Sequence, residues 1–428
     1  MLGGEYDRYL EMLEEPARRG FRVNPLKCSE EQLFEETGIS HEKSPFASDS
    51  WYTDEQAGIG FTPAHLAGLF YMQEPSASSA VSILRPEPGM KVLDLCAAPG
   101  SKTTQIAGMM KNEGVIVANE YNANRAKVLV ENVERFGAAN VIITNADTKD
   151  VADAFEGWFD AVLCDAPCSG EGMMRRESEA VKQWTPGLVE SCAVLQSEIL
   201  DNAYRCLKPG GVLVYSTCTF SLQENEEQAA SFLKRHPDMR LEECGVDFGR
   251  PSFPIGDESI RGRRIFPMDG GEGHFAVRMR KDENGSCSKT LGFLKGNELP
   301  REIRREIESV IRKPYPYYFV YKDRVYGGVF PFIQTGKCRL MRHQVMIGEI
   351  KNGRFEFSHH FFMSAWSEFR NCAELNDEEV LKYLHGEQIS RSLNKGWYAV
   401  CLNSHVLGGA RSDGKALKNR YPKSMRIR

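Results

Sequence analysis

The sequence predicts an α/β chain: an open, mostly parallel, Rossmann-like sheet with helices on both faces, flanked by a short N-terminal segment and an α+β C-terminal extension. Three observations carry this. From about residue 61 to 281, apolar runs of strand length alternate with stretches of helical length, as consecutive βαβ units require. The first of these runs ends in a loop of small residues with one glycine and one proline, and a helix follows at once. Beyond Lys281 the pattern changes, first to a polar linker over 282–289 and then to a charged amphipathic helix over 301–312. Mixed, strand-rich sequence with many aromatics (Tyr315, Tyr317, Tyr318, Phe319, Tyr321) follows.

Taken in order, strands are expected over 91–96, 115–119, 141–144, 161–165, 212–216 and 275–279, and helices over 103–110, 124–136 and 188–207. Residues 207–211, Leu-Lys-Pro-Gly-Gly, read as a turn into the fifth strand. The first 60 residues read as short helices and loops. They contain Arg22-Val23-Asn24-Pro25-Leu26-Lys27 and a Trp51-Tyr52 pair.

Hydrophobic residues make up 41% and charged residues 26%, an ordinary globular balance that argues against a disordered chain. The opening segment is dense in charge, unlike a signal peptide, and no run of about 18 apolar residues occurs, so no membrane span is expected. The twelve cysteines lie partly in strand-like apolar runs rather than in a disulfide framework, which points to a reducing cytoplasm. The net charge of −5 hides an uneven distribution: the last 18 residues, Arg411 to Arg428, carry +6 and the rest −11. A polyanion can bind such a basic stretch locally, although a solvated tail has the same composition.

The loop after the first strand, Cys96-Ala97-Ala98-Pro99-Gly100-Ser101-Lys102, lets the backbone approach a ligand at a helix N-terminus. Glu120 ends the second strand and is placed to take both hydroxyls of a ribose; Asp147, after the third, is placed to meet an adenine amino group. A dinucleotide enzyme would want Gly-x-Gly-x-x-Gly here. One glycine and a central proline disfavour a pyrophosphate and suit S-adenosyl-L-methionine; the bland alternative is an ordinary strand-to-helix turn.

Asp165-Ala166-Pro167-Cys168-Ser169-Gly170 ends one strand, and Thr217-Cys218-Thr219 ends the next, with Ser221 and Glu224 spaced as a capping box for a further helix. Asp165, Cys168 and Cys218 therefore belong at the C-terminal edge of the sheet, where doubly wound folds bind ligands. If the two strands are neighbours, about 4.8 Å apart, both thiols can face one substrate. Such a set suits methylation of cytosine C5: a thiolate adds at C6 to make C5 nucleophilic, a polar group serves the ring near N3, and a base removes the C5 proton. Other readings stay open on the residues alone. Either cysteine can be structural, Cys164 and Cys168 could be half a metal site, though no matching pair is nearby, and Asp-Ala-Pro-Cys also fits an amino-group methyltransferase. Cys164 should point away from Asp165 into the core.

With these motifs assembled, the chain resembles the NOL1/NOP2/Sun family of RNA cytosine-C5 methyltransferases. The matching segments are 94–103, 165–170 and 215–219, and within the family the RsmF-type enzymes of small-subunit ribosomal RNA are nearest in pattern. Gly68 to Ser76 is similar to the family's lead-in to the catalytic domain, with Pro75 a departure at one turn. Arg22 to Lys27 is similar to its N-terminal RNA-binding motif. Gly408-Gly409 and 418–423 are similar to the end of a PUA-like RNA-binding domain. The resemblance implies an N-terminal RNA-binding segment (1–60), an S-adenosylmethionine-dependent methyltransferase domain (61–281) and an extension ending in the PUA-like domain (282–428). It implies that Cys96 to Lys102, Glu120, Asp147 and Asp165 bind the cofactor, that Cys218 adds to C6, that Cys168 assists release and that Asp165 bonds the base near N3. It implies an RNA substrate, ribosomal before transfer RNA, and the chain is expected to work without metal, away from membranes, as a monomer. A DNA cytosine methyltransferase would attack with Cys168 and have no use for Cys218. A silent RNA-binding assembly factor would need neither thiol.

Overall fold

The computed structural model describes residues 2–54, 59–255, 259–284 and 289–427. Its centre is the expected sheet, built from β1 (Lys91–Asp94), β2 (Val115–Asn119), β3 (Val141–Asn145), β4 (Phe159–Asp165), β5 (Leu207–Thr217), β6 (His274–Lys281) and β7 (Arg339–His343). These strands lie in the order β7-β3-β2-β1-β4-β5-β6 within a sheet of ten strands among the described residues; Arg263–Ile265 and then Arg250–Pro251 continue it beyond β6, and Met239–Glu242 also pairs with β6. The five central strands are parallel; β6 runs antiparallel to β5, and β7 antiparallel to β3. Each parallel strand is followed by a helix: α1 (Ser101–Met109), α2 (Ala123–Phe136), α3 (Thr148–Ala154), α4 (Pro186–Cys206) and α5 (Glu226–Arg235).

Apolar strands buried on both faces need two helical layers. On one face α3, α4 and α5 bury Val151, Ile199, Leu200, Ala203 and Phe232 against the sheet. On the other, α1 and α2 bury Ile106, Ala107, Leu129 and Val133. The chain leaves β1 toward β2 and β3, then returns on the other side of β1 as β4. The edge between β1 and β4 is therefore the switch point where a ligand crevice opens.

Three expectations need correction. Residues 207–211 do not turn into β5 but begin it, because Leu207 already pairs with Phe159 of β4 and the Pro-Gly-Gly run is absorbed by a register shift. The N-terminal segment is not only helices and loops. Arg19–Val23 lies between Ser50–Thr53 and Phe70–Met72 in a four-stranded antiparallel sheet whose other edge is Glu42–Lys43. Strands of five residues or fewer are too short to show a period-two pattern. Finally, β7 comes from beyond residue 281 and yet extends the central sheet.

The C-terminal region forms two further four-stranded sheets. The last holds Gly396–Leu402 and His405–Ser412 beside a helix at Asp377–His385. Its apolar side shares a core with the N-terminal segment: Phe21, Val23, Leu33 and Phe70 pack with Val380, Tyr383, Val400 and Leu407. The two ends of the chain thus brace each other. Among the described residues, no helix is long and apolar enough to cross a membrane.

Candidate active site

The register between β4 and β5 sets Asp165 beside Ser216, and the two loops that continue from them lie side by side. Ala166 N–H donates to the Ser216 carbonyl at 3.0 Å, and Gly172 N–H donates to the Cys218 carbonyl at 2.9 Å. The result is a contact between free thiols: Cys168 Sγ and Cys218 Sγ are 3.3 Å apart, both half-buried. Cys164, one residue before Asp165, points into the core and is fully buried, as strand alternation requires.

Two acids not expected at the site fasten these loops. Glu224, fully buried, accepts from Ser169 N–H at 2.9 Å, from the Ser169 hydroxyl and from Gln196 Nε2 at 2.9 Å; Gln196 Nε2 also donates to the Pro167 carbonyl. Glu171 accepts from Thr219 Oγ1 and Phe220 N–H, both at 2.9 Å, and from the Trp184 indole at 3.0 Å. The spacing Ser221–Glu224 is therefore not a capping box. Ser221 Oγ does accept from Glu224 N–H, at 3.4 Å, but the Glu224 carboxylate turns inward to Ser169, and the helix begins only at Glu226. A buried carboxylate facing several donors is worth more than a cap on an exposed turn.

Asp165 is held on both oxygens: Oδ2 accepts from Lys102 Nζ at 2.7 Å and Oδ1 from the Ser216 hydroxyl at 2.7 Å. Burial pushes this carboxyl up, but the Lys102 charge, His274 and the two hydrogen bonds outweigh it, and it lies below its ordinary value. Burial likewise pulls the Lys102 ammonium down. The charge of Asp165, the hydrogen bond to it and the nearby Cys218 and Asp94 win, and Lys102 lies above its ordinary value. The pair is thus ionic. The Cys168 thiol is raised well above the usual range, first by its hydrogen bond to Cys218 and then by burial.

The loop 95–100 turns at Gly100, which has φ +109°; a Cβ there would meet Leu129 Cδ1 at 3.0 Å. Arg125 Nη2 and Asn132 Nδ2 of α2 donate to the Ala98 and Pro99 carbonyls, each at 2.8 Å, so α2 props the loop from behind. Glu120 is buried, accepts from Asn122 N–H at 2.8 Å and has Arg125 Nη1 3.8 Å away. Asp147 is exposed at the N-cap of α3 and accepts from Lys149 N–H at 2.9 Å. Beneath them Asp94 is fully buried. Thr103 Oγ1 donates to its Oδ2 at 2.6 Å, Oδ1 has no partner, and burial pushes the carboxyl up to about 7.

The strand ends thus bring together Cys96 to Lys102, Glu120, Asp147, Asp165, Cys168 and Cys218 along one edge of the sheet. They do not bring the polar head of the Arg22 to Lys27 motif to the surface: Arg22 and Asn24 are fully buried and bonded inside the protein, so contact with RNA through these two is closed off, while Pro25 is exposed and Lys27 half-buried. The basic C-terminal stretch is not a loose tail either. Arg411 and Leu417–Asn419 lie in strands, and Arg411 and Arg420 lie over Trp397 at 5.8 and 5.7 Å. Lys415, Lys418 and Lys423 are exposed, and Arg428 lies outside the described residues. No group of three or more His, Cys, Asp or Glu among the described residues could hold a metal ion.

A sheet of this strand order, with an antiparallel strand beside β5 and a glycine loop after β1 at the switch point, defines the class of S-adenosylmethionine-dependent methyltransferases. The description "16S rRNA methyltransferase RsmB/F" matches residues 81–280, "N-terminal domain of 16S rRNA methyltransferase RsmF" residues 1–75, and "Methyltransferase RsmF PUA domain" residues 370–427. Ribosomal RNA small subunit methyltransferase F of Erwinia tasmaniensis is 32% identical over 98% of this chain and 93% of its own length. That of Escherichia coli is 31% identical over 98% and 92%. The crystal structure of a methyltransferase homolog from Pyrococcus horikoshii is 33% identical, covers 65% of this chain and 91% of its own, and superposes with a TM-score of 0.57. The chain belongs to the RsmF family of 16S rRNA methyltransferases.

Proposed function

We propose that the protein methylates C5 of a cytosine in small-subunit ribosomal RNA, with Cys218 as the covalent nucleophile. The observation that carries this reading is the pair of thiols at 3.3 Å on neighbouring strand ends, beside an ionic Lys102–Asp165 pair. A single thiol at a strand end would be unremarkable; two in contact on the loops after β4 and β5, beside the switch point and each on a loop locked by a buried or half-buried acid, suit a reaction centre.

The residues fit S-adenosyl-L-methionine. The Gly100 turn cannot take a side chain without strain, the Glu120 carboxylate ends β2, and Asp147 stands open at the next strand end. In this reading residues 96–102 cradle it, Glu120 takes its ribose, Asp147 its adenine, and Asp165 closes the site on the substrate side. When bound, it supplies the methyl electrophile.

The chain's own residues do the rest. Cys218 adds its sulfur to C6, and the electrons of the C5–C6 bond move toward C5 and the ring nitrogen. Asp165, ionised beside Lys102, accepts from the amino group next to N3, and the Lys102 ammonium steadies the charge that reaches N3. Cys168 touches the attacking sulfur of Cys218 and so stands beside the carbon that sulfur attacks. Cys168 then loses its proton to water and takes the one on C5. The C5–H electrons restore the C5–C6 bond, and Cys218 leaves as thiolate.

An RNA substrate must unstack its target base to reach this edge. The exposed basic residues of the last sheet are the phosphate contacts in this account. In this reading the protein acts on ribosomal RNA in the cytoplasm, and it acts as a monomer, every site residue named coming from one chain. The test is methyl transfer to small-subunit ribosomal RNA from labelled S-adenosylmethionine, followed by digestion to nucleosides. Label in 5-methylcytidine is expected; label in another nucleoside, or none, overturns the reading.

A further inference from the structure

The partly buried motif Arg22 to Lys27 holds the two helices that start at the proposed cofactor loops. Arg22 comes from the N-terminal sheet and is fully buried against α1. Its Nη2 donates to the Ser101 carbonyl at 2.6 Å and to Thr104 Oγ1 at 2.9 Å, and Thr104 Oγ1 itself donates to Ser101 O at 2.9 Å. The rest of the guanidinium is fixed by Gln73 Oε1 at 2.5 Å and Asp49 Oδ2 at 3.1 Å. Pro25 lies on the same helix, where a Cβ on Gly108 would meet Pro25 Cγ at 3.1 Å. Asn24 and Lys27 reach the far end of α2: Asn24 Nδ2 donates to Phe136 O at 2.7 Å and Lys27 Nζ to Arg135 O at 2.9 Å.

Within this clamp the positions differ. Ser101 is the first residue of α1, directly after Gly100 and directly before Lys102, whose ammonium holds Asp165. Asn24 and Lys27 act at the C-terminal end of a 14-residue helix, about 20 Å from the end beside Glu120. A buried arginine with four acceptors has no surface role, and an arginine spent on a carbonyl in the first turn of a helix is costly unless that turn must be held.

We propose that Arg22 is a positioning residue for the reaction: by fixing Ser101 it sets the Gly100 turn and the Lys102–Asp165 pair, and so couples the N-terminal segment to cofactor affinity. The proposal rests on the reading of residues 96–102 as the cofactor cradle. It concerns Arg22 as distinct from Asn24, whose bonds should serve stability alone.

The test compares Arg22→Lys, Thr104→Val and Asn24→Ala in the full chain by calorimetric titration with S-adenosylmethionine and by thermal melting. Arg22→Lys keeps the charge but loses the fork, and it should weaken cofactor binding about tenfold or more, as loss of a charge-assisted buried bond does. Thr104→Val removes the hydroxyl that shares Ser101 and should weaken binding in the same direction, severalfold; it carries the test if Arg22→Lys does not fold. Asn24→Ala should melt earlier yet bind the cofactor within about twofold of the parent. Unchanged affinity in folded Arg22→Lys or Thr104→Val, or equal loss in Asn24→Ala, overturns the proposal and leaves the methyltransferase reading intact. Failure of the parent protein to bind the cofactor overturns both.

Discussion

The proposed cofactor side and the proposed substrate side of the site are held by different means. Around the Gly100 loop the work is done by backbone: carbonyls at Ala98 and Pro99 are taken by α2, and the acids proposed for recognition, Glu120 and Asp147, stand at or just past strand ends with few partners. Around the cysteines the work is done by side chains: Glu224, Glu171, Ser169, Gln196 and Thr219 form one buried or half-buried polar network. The first design leaves acceptors open for a ligand that comes and goes. The second spends its hydrogen bonds internally and presents only the thiols and the Lys102–Asp165 pair. A ligand that is exchanged each cycle needs open polar groups, whereas a covalent step needs two sulfurs kept within tenths of an ångström.

Breaking the substrate side should have the largest effect. Cys218→Ala should abolish methyl transfer in a steady-state assay while leaving cofactor binding by calorimetry unchanged, since no cofactor contact is assigned to it. Glu224→Ala should come next. It leaves Ser169 N–H without its acceptor and takes one of two acceptors from Gln196 Nε2, at about 1–3 kcal/mol for a buried group left unpaired, so a clear drop in melting temperature should accompany a loss of activity. A parent-like melting curve would show the network to be ornamental.

On the cofactor side the effects should be smaller and confined to binding. Glu120→Ala should weaken S-adenosylmethionine affinity by about 1.5–3 kcal/mol in a protein that stays folded; equal affinity would remove Glu120 from the site. Smaller still is the effect of charge on the last sheet. Replacing Lys415, Lys418 and Lys423 by Gln should weaken RNA binding modestly and flatten its salt dependence by about 0.7–0.9 per lost phosphate contact. An unchanged slope would make that face merely solvated.

The same division explains what could be read from the sequence. The strands β1 to β5 were legible because buried parallel strands are continuous apolar runs, and the acids and thiols at their ends follow from topology alone. Glu171 and Glu224 were not legible as site residues: neither sits on a strand end, and the Ser221–Glu224 spacing has a simpler local meaning. Arg22 to Lys27 looked like a surface motif because its residue types are those that meet RNA. Only the tertiary structure shows the guanidinium enclosed by Asp49, Gln73, Ser101 and Thr104. Neither the short N-terminal strands nor the return of β7 to the central sheet has a periodic signature, since both depend on pairing across the fold.

The central claim is the division of labour between the two thiols, and one gel tests it. Cys168→Ala and Cys218→Ala are incubated with substrate RNA and labelled S-adenosylmethionine and run under denaturing conditions. Without Cys168, attack and methylation proceed but the C5 proton stays, so protein should remain bound to RNA through C6 as a slow band that ribonuclease collapses. Without Cys218 no such band should form. A slow band from Cys218→Ala and none from Cys168→Ala would contradict the account and reverse the roles of the two cysteines.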